Sequence, residues 1–161
     1  MKVLRANPTA VTFHLDAAER RLFVEILALY PVVPDGYQPL SKTLPGAAAV
    51  ADQKLLNEAL AEQRAEHQRR LRVWLATKNR FRRTDAGFAF TLQRADAEWL
   101  LQVLNDIRVG SWLLLGAPEE RLDYDELGPL NPELHRIWAA MELSGLFQMN
   151  ILHGLEGTAP E

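Results

Sequence analysis

The side chains best suited to chemistry in this chain are four histidines, His14, His67, His135 and His153, and a polar trio, Asn105, Asp106 and Arg108. The histidines lie far apart and lack metal-ligand spacing. Cysteine is absent, which excludes disulfides, thiolate metal sites and cysteine nucleophiles together. A glycine-rich phosphate loop, His-Glu-x-x-His and Gly-x-Ser-x-Gly are all missing. A non-enzymatic protein without metal or cofactor is therefore expected. His67 falls within the stripe of a long helix, either as a switchable polar contact or as an ordinary histidine on a partly wet face.

The trio interrupts "WLLQVLNDIRVGSWLLLG", residues 99–116, which is apolar on nearly every side. At about 100° per residue, Leu100, Leu104, Ile107, Ser111 and Leu114 share one helix face. Asn105 and Arg108 fall on one flank and Asp106 on the other, so the three do not form one compact site. They read as structural polar pins, each holding a neighbouring element. A half-buried carboxylate needs an outside donor, and the basic run Arg80, Arg82 and Arg83 is the expected source.

A net charge of −3 hides a strong asymmetry. Residues 64–83, "RAEHQRRLRVWLATKNRFRR", hold eight of the 18 Lys and Arg against the single acid Glu66, which makes this segment +7 and the remainder −10. An acidic counterpart, "PEERLDYDEL" (118–127), carries five acids against Arg121. The basic segment suggests nucleic-acid binding, with Arg64, Arg69, Arg70 and Arg72 on phosphates and Trp74 as a stacking surface. Against this, a helical wheel spreads those arginines around the axis. A solvated helix neutralised by the acidic stretch is the competing reading.

Positioning elements follow from periodicity. Val11, Phe13 and Leu15 alternate with polar residues, as in a half-buried strand. Asp16 and Glu19 have capping-box spacing for a helix that Pro31 stops. The proline-rich run 31–46 reads as a loop lying over the domain. In the following long helix Leu56, Leu60, Leu71 and Trp74 form a stripe whose centre is the less buried part. Asp85-Ala86-Gly87 joins two strands, and Asn131-Pro132 opens the last helix. A shift of 77 residues lays Arg5 on Arg82, Phe13 on Phe90, Leu15 on Leu92, Ala18 on Ala95 and Leu27 on Leu104. That regularity suggests an internal duplication of residues 1–27 and 78–104.

These signals predict a helix-rich α+β fold. A small antiparallel sheet from two β-hairpins, about 1–15 and 79–93, is covered by four main helices, about 17–30, 47–77, 95–115 and 133–152. Residues 1–153 form one globular domain and 154–161 a flexible tail. Gly110-Ser111 and Ser144-Gly145 mark a close crossing of the last two helices. The last helix has a second apolar face, Leu143, Leu146, Phe147 and Ile151, which suggests a homodimer interface. No run approaches the ~20 apolar residues of a membrane span, and residues 1–20 lack a signal-peptide pattern. A cytoplasmic protein is expected.

The segment "ADAEWLLQVLNDIRVGSWLLLGAPEE" resembles an uncharacterised bacterial family. Trp99, Leu100, Leu104, Asn105, Asp106, Arg108, Leu115 and Gly116 match its Trp-Leu, Leu-Asn-Asp-x-Arg and Leu-Gly pattern. "VTFHLDAAERRLFVEILAL" is similar to the family's opening strand and acid-capped helix. Genes of this family often lie beside that of ClpS, the Clp protease adaptor, which implies a regulatory role in protein turnover. The expected function is a non-enzymatic interaction or regulatory protein with an unidentified protein partner, the alternative being nucleic-acid binding through residues 64–83.

Overall fold

A computed structural model describes residues 1–33, 47–120 and 131–157, with side chains from residue 54 onward in the second stretch. Strand β1 (Lys2–Ala6) turns into β2 (Ala10–Leu15), and the Asn7 side chain accepts from the backbone N–H groups of Thr9 and Ala10 at 2.9 and 2.8 Å. Such an Asx turn fixes the hairpin locally. Helix α1 (Ala17–Leu27) opens on the expected capping box between Asp16 and Glu19. The long α2 (Ala47–Ala76) leads to β3 (Arg82–Thr84) and β4 (Gly87–Gln93). Helices α3 (Arg94–Leu114) and α4 (Pro132–Glu156) complete the order, α4 with Asn131 capping the N–H of Leu134. Only glycine fits position 87: a Cβ there would stand 2.4 Å from the Leu15 carbonyl oxygen, and φ is +148°.

The four strands form one antiparallel sheet in the order β1-β2-β4-β3. Its central ladder sets Phe13 opposite Phe90, Val11 opposite Leu92 and Leu15 opposite Phe88. The 77-residue offset maps that ladder onto itself about the Phe13–Phe90 pair. The outer pairs Arg5–Thr12 and Ala6–Val11 likewise map onto Arg82–Ala89 and Arg83–Phe88. Both hairpins and their helix starts, Ala17 and Arg94, therefore repeat in three dimensions at the spacing seen in the sequence.

The core lies on the phenylalanine face of the sheet. Phe23 of α1 stacks on Phe90 at 5.5 Å and meets Phe147 of α4 edge-on at 4.8 Å. Trp74, at the end of α2, reaches Phe90 and Trp99 at 6.2 and 6.3 Å. Gly154 lets α4 lie directly on the sheet, since a Cβ there would stand 2.8 Å from the Phe13 ring. This contact corrects the tail expectation: α4 continues past Leu152 to Glu156, and Arg94 donates to the Leu155 carbonyl at 2.8 Å.

Three further expectations change. Helix α2 is anchored by Leu71 and Trp74 at its C-terminal end, whereas Leu55, Leu56 and Leu60 are exposed, so among the described side chains the least buried part is residues 54–60 and not the centre. Ser111 and Ser144 are fully buried, as a close crossing requires, yet Gly110 makes room for Val32 and Val33 rather than for α4. Its Cβ would stand 2.8 Å from Val33 Cγ2. Helix α1 ends at Leu27, three residues before Tyr30, and hydrogen-bonded turns carry the chain on to Tyr30. The proline-rich loop from residue 34 to 46, the acidic stretch 121–130 and residues 158–161 lie outside the described residues. Among the described residues, no helix is long and apolar enough to cross a membrane.

Candidate functional site

Two helical stripes face each other across a cleft. Leu60, Gln63, Arg64 and His67 recur at helical spacing on α2, and Gln102, Asn105, Asp106, Val109 and Leu113 do so on α3. Tyr30 and Pro31–Val33 close a third side, seated against α3 through Gly110. The cleft holds about 220 Å³ and is lined by apolar and polar groups in similar measure. That is smaller than the ~300 Å³ at which sites for drug-sized ligands begin. Gln102, Asn105 and Asp106 also line a shallow hollow between α3 and Leu155.

Asp106 is the polar centre. The buried Tyr30 hydroxyl donates to Asp106 Oδ2 at 3.3 Å and stands 3.5 Å from His67 Nδ1. Both separations are long for hydrogen bonds, so Tyr30 holds Asp106 and His67 only weakly. Loss of hydration in the cleft raises the Asp106 pKa, while the Tyr30 hydrogen bond, His67 and Arg64 pull it down. The same burial, reinforced by the Asp106 charge, raises the Tyr30 pKa and keeps its hydroxyl protonated. Tyr30 is thus a fixed donor and Asp106 a reachable acceptor. Gln63, Gln102 and Asn105 add amide groups, and Arg64 a cation. Among the described residues, no Ser, Thr, Cys or Lys lines the cleft. Among the described residues, no group of three His, Cys, Asp or Glu could hold a metal ion.

Asn105 and Arg108 pair with one another along α3, Arg108 Nη2 donating to Asn105 Oδ1 at 3.0 Å. Arg108 also lies over Gly145, its Cδ about where a Cβ there would make contact. Arg108 thus lies apart from Asp106, whereas Asn105, expected on the opposite flank from Asp106, lines the same cleft with it, because the cleft is wide enough to take in both adjacent residues. The donor to Asp106 differs too: it is Tyr30, not Arg80, Arg82 or Arg83. Arg80 instead donates to the Trp74 carbonyl at 3.1 Å and lies over the Trp74 ring.

The residues proposed for nucleic acid on α2 are dispersed. Arg64 lines the cleft, and Arg69 pairs with Glu66. Arg70 pairs with Asp96 at 2.5 Å and lies over the Trp99 ring. Only Arg72 stands exposed, with no ion pair among the described residues. Trp74 is 6% exposed within the core and cannot offer a stacking surface. The four residues of the proposed dimer face also part company. Phe147 and Ile151 are buried within the chain, Leu143 is partly buried against the core, and Leu146 is exposed beside Met149 and Leu152.

Tyr30 and Gln102 are the site residues that sequence reasoning missed, while Gln63, like His67, was legible only as a polar interruption of the α2 stripe. A tyrosine one residue before Pro31, at the end of an apolar run, was the available signal, because a buried phenol requires a partner. Comparison with protein-family models, curated proteins and solved structures found no match.

Proposed function

We propose that this helix-rich α+β protein is a non-enzymatic regulatory protein whose cleft between α2 and α3 binds a small polar ligand. The observation that carries this reading is a carboxylate, Asp106, set in a concave site, hydrogen-bonded by a buried tyrosine and flanked by amides. Convergent polar groups in an otherwise apolar hollow are what small-ligand recognition requires. The ligand presents a hydroxyl or ammonium donor to Asp106 and an apolar part to Val32, Val33 and Leu113. Titration of a fragment set, followed by amide chemical shifts, tests this. Saturable shifts at residues lining the cleft, lost in Asp106→Ala, are expected. A set of small alcohols, amines and amides that leaves the cleft unshifted would overturn the reading, and turnover of a bound compound would replace it with an acid–base enzyme built on Tyr30, His67 and Asp106.

The same reading includes a cytoplasmic setting, a homodimer and a connection to protein turnover. The turnover connection rests on the resemblance carried by Trp99, Asn105, Asp106 and Arg108. The homodimer rests on the exposed apolar row Leu146, Met149 and Leu152 of α4.

A further inference from the structure

The sheet has a second face that the cleft does not use. Directly paired residues in neighbouring strands point the same way, so the pairs Lys2–His14, His14–Ala89 and Ala89–Arg82 form one row across all four strands. Arg5, Thr12 and Thr91 form the next row. Both rows lie opposite the Phe13–Phe90 face, and the two threonine hydroxyls hydrogen-bond at 2.9 Å in the middle. These rows carry Lys2, Arg5 and Arg82 and no carboxylate, in a chain whose net charge is −3, whereas Arg83, paired with Phe88, points to the opposite face.

Beside this face the turn after α2 brings Lys78 and Arg80 next to Arg82, Thr12 and Thr91 around a concavity of about 270 Å³. Lys2, Arg5, Lys78 and Arg82 are exposed and make no ion pair among the described residues. This is the reverse of α2, where Arg69 and Arg70 are already neutralised by Glu66 and Asp96.

We infer that this outer sheet face binds the phosphate backbone of a nucleic acid. Arg5 on one edge strand and Arg82 on the other are three strand spacings apart, about 14 Å. One phosphate cannot touch both, whereas a polymer of phosphates can. Thr12, Thr91 and Gln93 supply uncharged donors between the cations, the kind of contact that positions a backbone without reading sequence. The rows contain no exposed aromatic side chain, so base stacking contributes nothing and binding is insensitive to sequence. They also contain no large apolar side chain to enter a bilayer, which separates this face from a lipid-binding surface.

Fluorescence anisotropy of labelled single-stranded and duplex oligonucleotides of several sequences, across a salt series from about 50 mM, tests the inference. Binding of similar strength to every sequence, steeply weakened by salt, is expected. Arg5→Glu with Arg82→Glu is expected to weaken it at least tenfold and to lower the salt slope by about 2. Arg69→Glu with Arg72→Glu on α2 is expected to leave affinity within twofold. Arg5→Gln with Arg82→Gln gives the same comparison should charge reversal disturb the sheet, as judged by circular dichroism. Absence of binding at low salt, loss in the α2 variant but not the sheet variant, or retention on anionic vesicles without retention of oligonucleotides would each overturn it.

Discussion

Asp106 is pulled in two directions. Its place in the cleft strips hydration from the carboxylate and raises its pKa, while Tyr30, His67 and Arg64 favour the charged form without fully offsetting that loss. A carboxyl group whose folded pKa lies above its unfolded value favours the native state only while it is protonated. Its contribution is full below the ordinary value of 3.8 and is lost as pH rises through the elevated folded pKa. Ionised Asp106 thus costs stability at neutral pH. Asp106→Asn keeps an acceptor for Tyr30 and removes the charge. Thermal melts from about pH 3 to 8 are expected to show it more stable than the parent at neutral pH, with the difference vanishing at the acid end. A variant less stable than the parent at neutral pH would contradict this account.

Helix α2 behaves as two halves. Its C-terminal end enters the core through Leu71 and Trp74, whereas Leu56, 53% exposed, touches little of it. Leu71→Ala is expected to cost about 2–5 kcal/mol and Leu56→Ala less than about 0.5 kcal/mol, measured by urea denaturation. Equal costs would show that the N-terminal half is buried in solution. The sequence could not separate these halves, because Leu56, Leu60, Leu71 and Trp74 keep one helical spacing throughout and periodicity does not register where a neighbour ends. By contrast, the Asp16–Glu19 capping box, the Asn131-Pro132 start and the α3 face Leu100, Leu104, Ile107 and Ser111 were legible, since each is a local signal. The same limit explains the site. The wheel separated Asp106 from Arg108 but wrongly set it apart from Asn105, which shares its cleft, and its donor, Tyr30, is 76 residues away and meets it only through tertiary packing. The polar character of Gln63, Arg64 and His67 was visible on α2, and the stripe opposite it on α3 was not.

For the whole molecule, charge and apolar surface are sorted by the sheet. One face gathers the aromatic core and the helices, and the other carries Lys2, Arg5 and Arg82. The surplus apolar character of α4 is mostly consumed inside the chain by Phe147 and Ile151, leaving Leu146, Met149 and Leu152 as the row on which the proposed homodimer depends. Light scattering is expected to give twice the chain mass, with Leu146→Asp and Met149→Asp together restoring a monomer of unchanged circular dichroism. A strict monomer for the parent at high concentration would remove the dimer while leaving the cleft reading intact.

Among the described side chains α2 meets the buried core at Leu71 and Trp74, near its C-terminal end, which gives it the geometry of a lever. At 1.5 Å of rise per residue, Arg64 lies about 10 Å beyond the anchor at Leu71, and the start of the helix at Ala47 lies about 36 Å beyond it. A tilt that opens the cleft by about 1 Å at Arg64 therefore carries the far end more than three times as far. On the proposed ligand-binding reading, a cleft of about 220 Å³ would thus act on the far end of the helix through leverage.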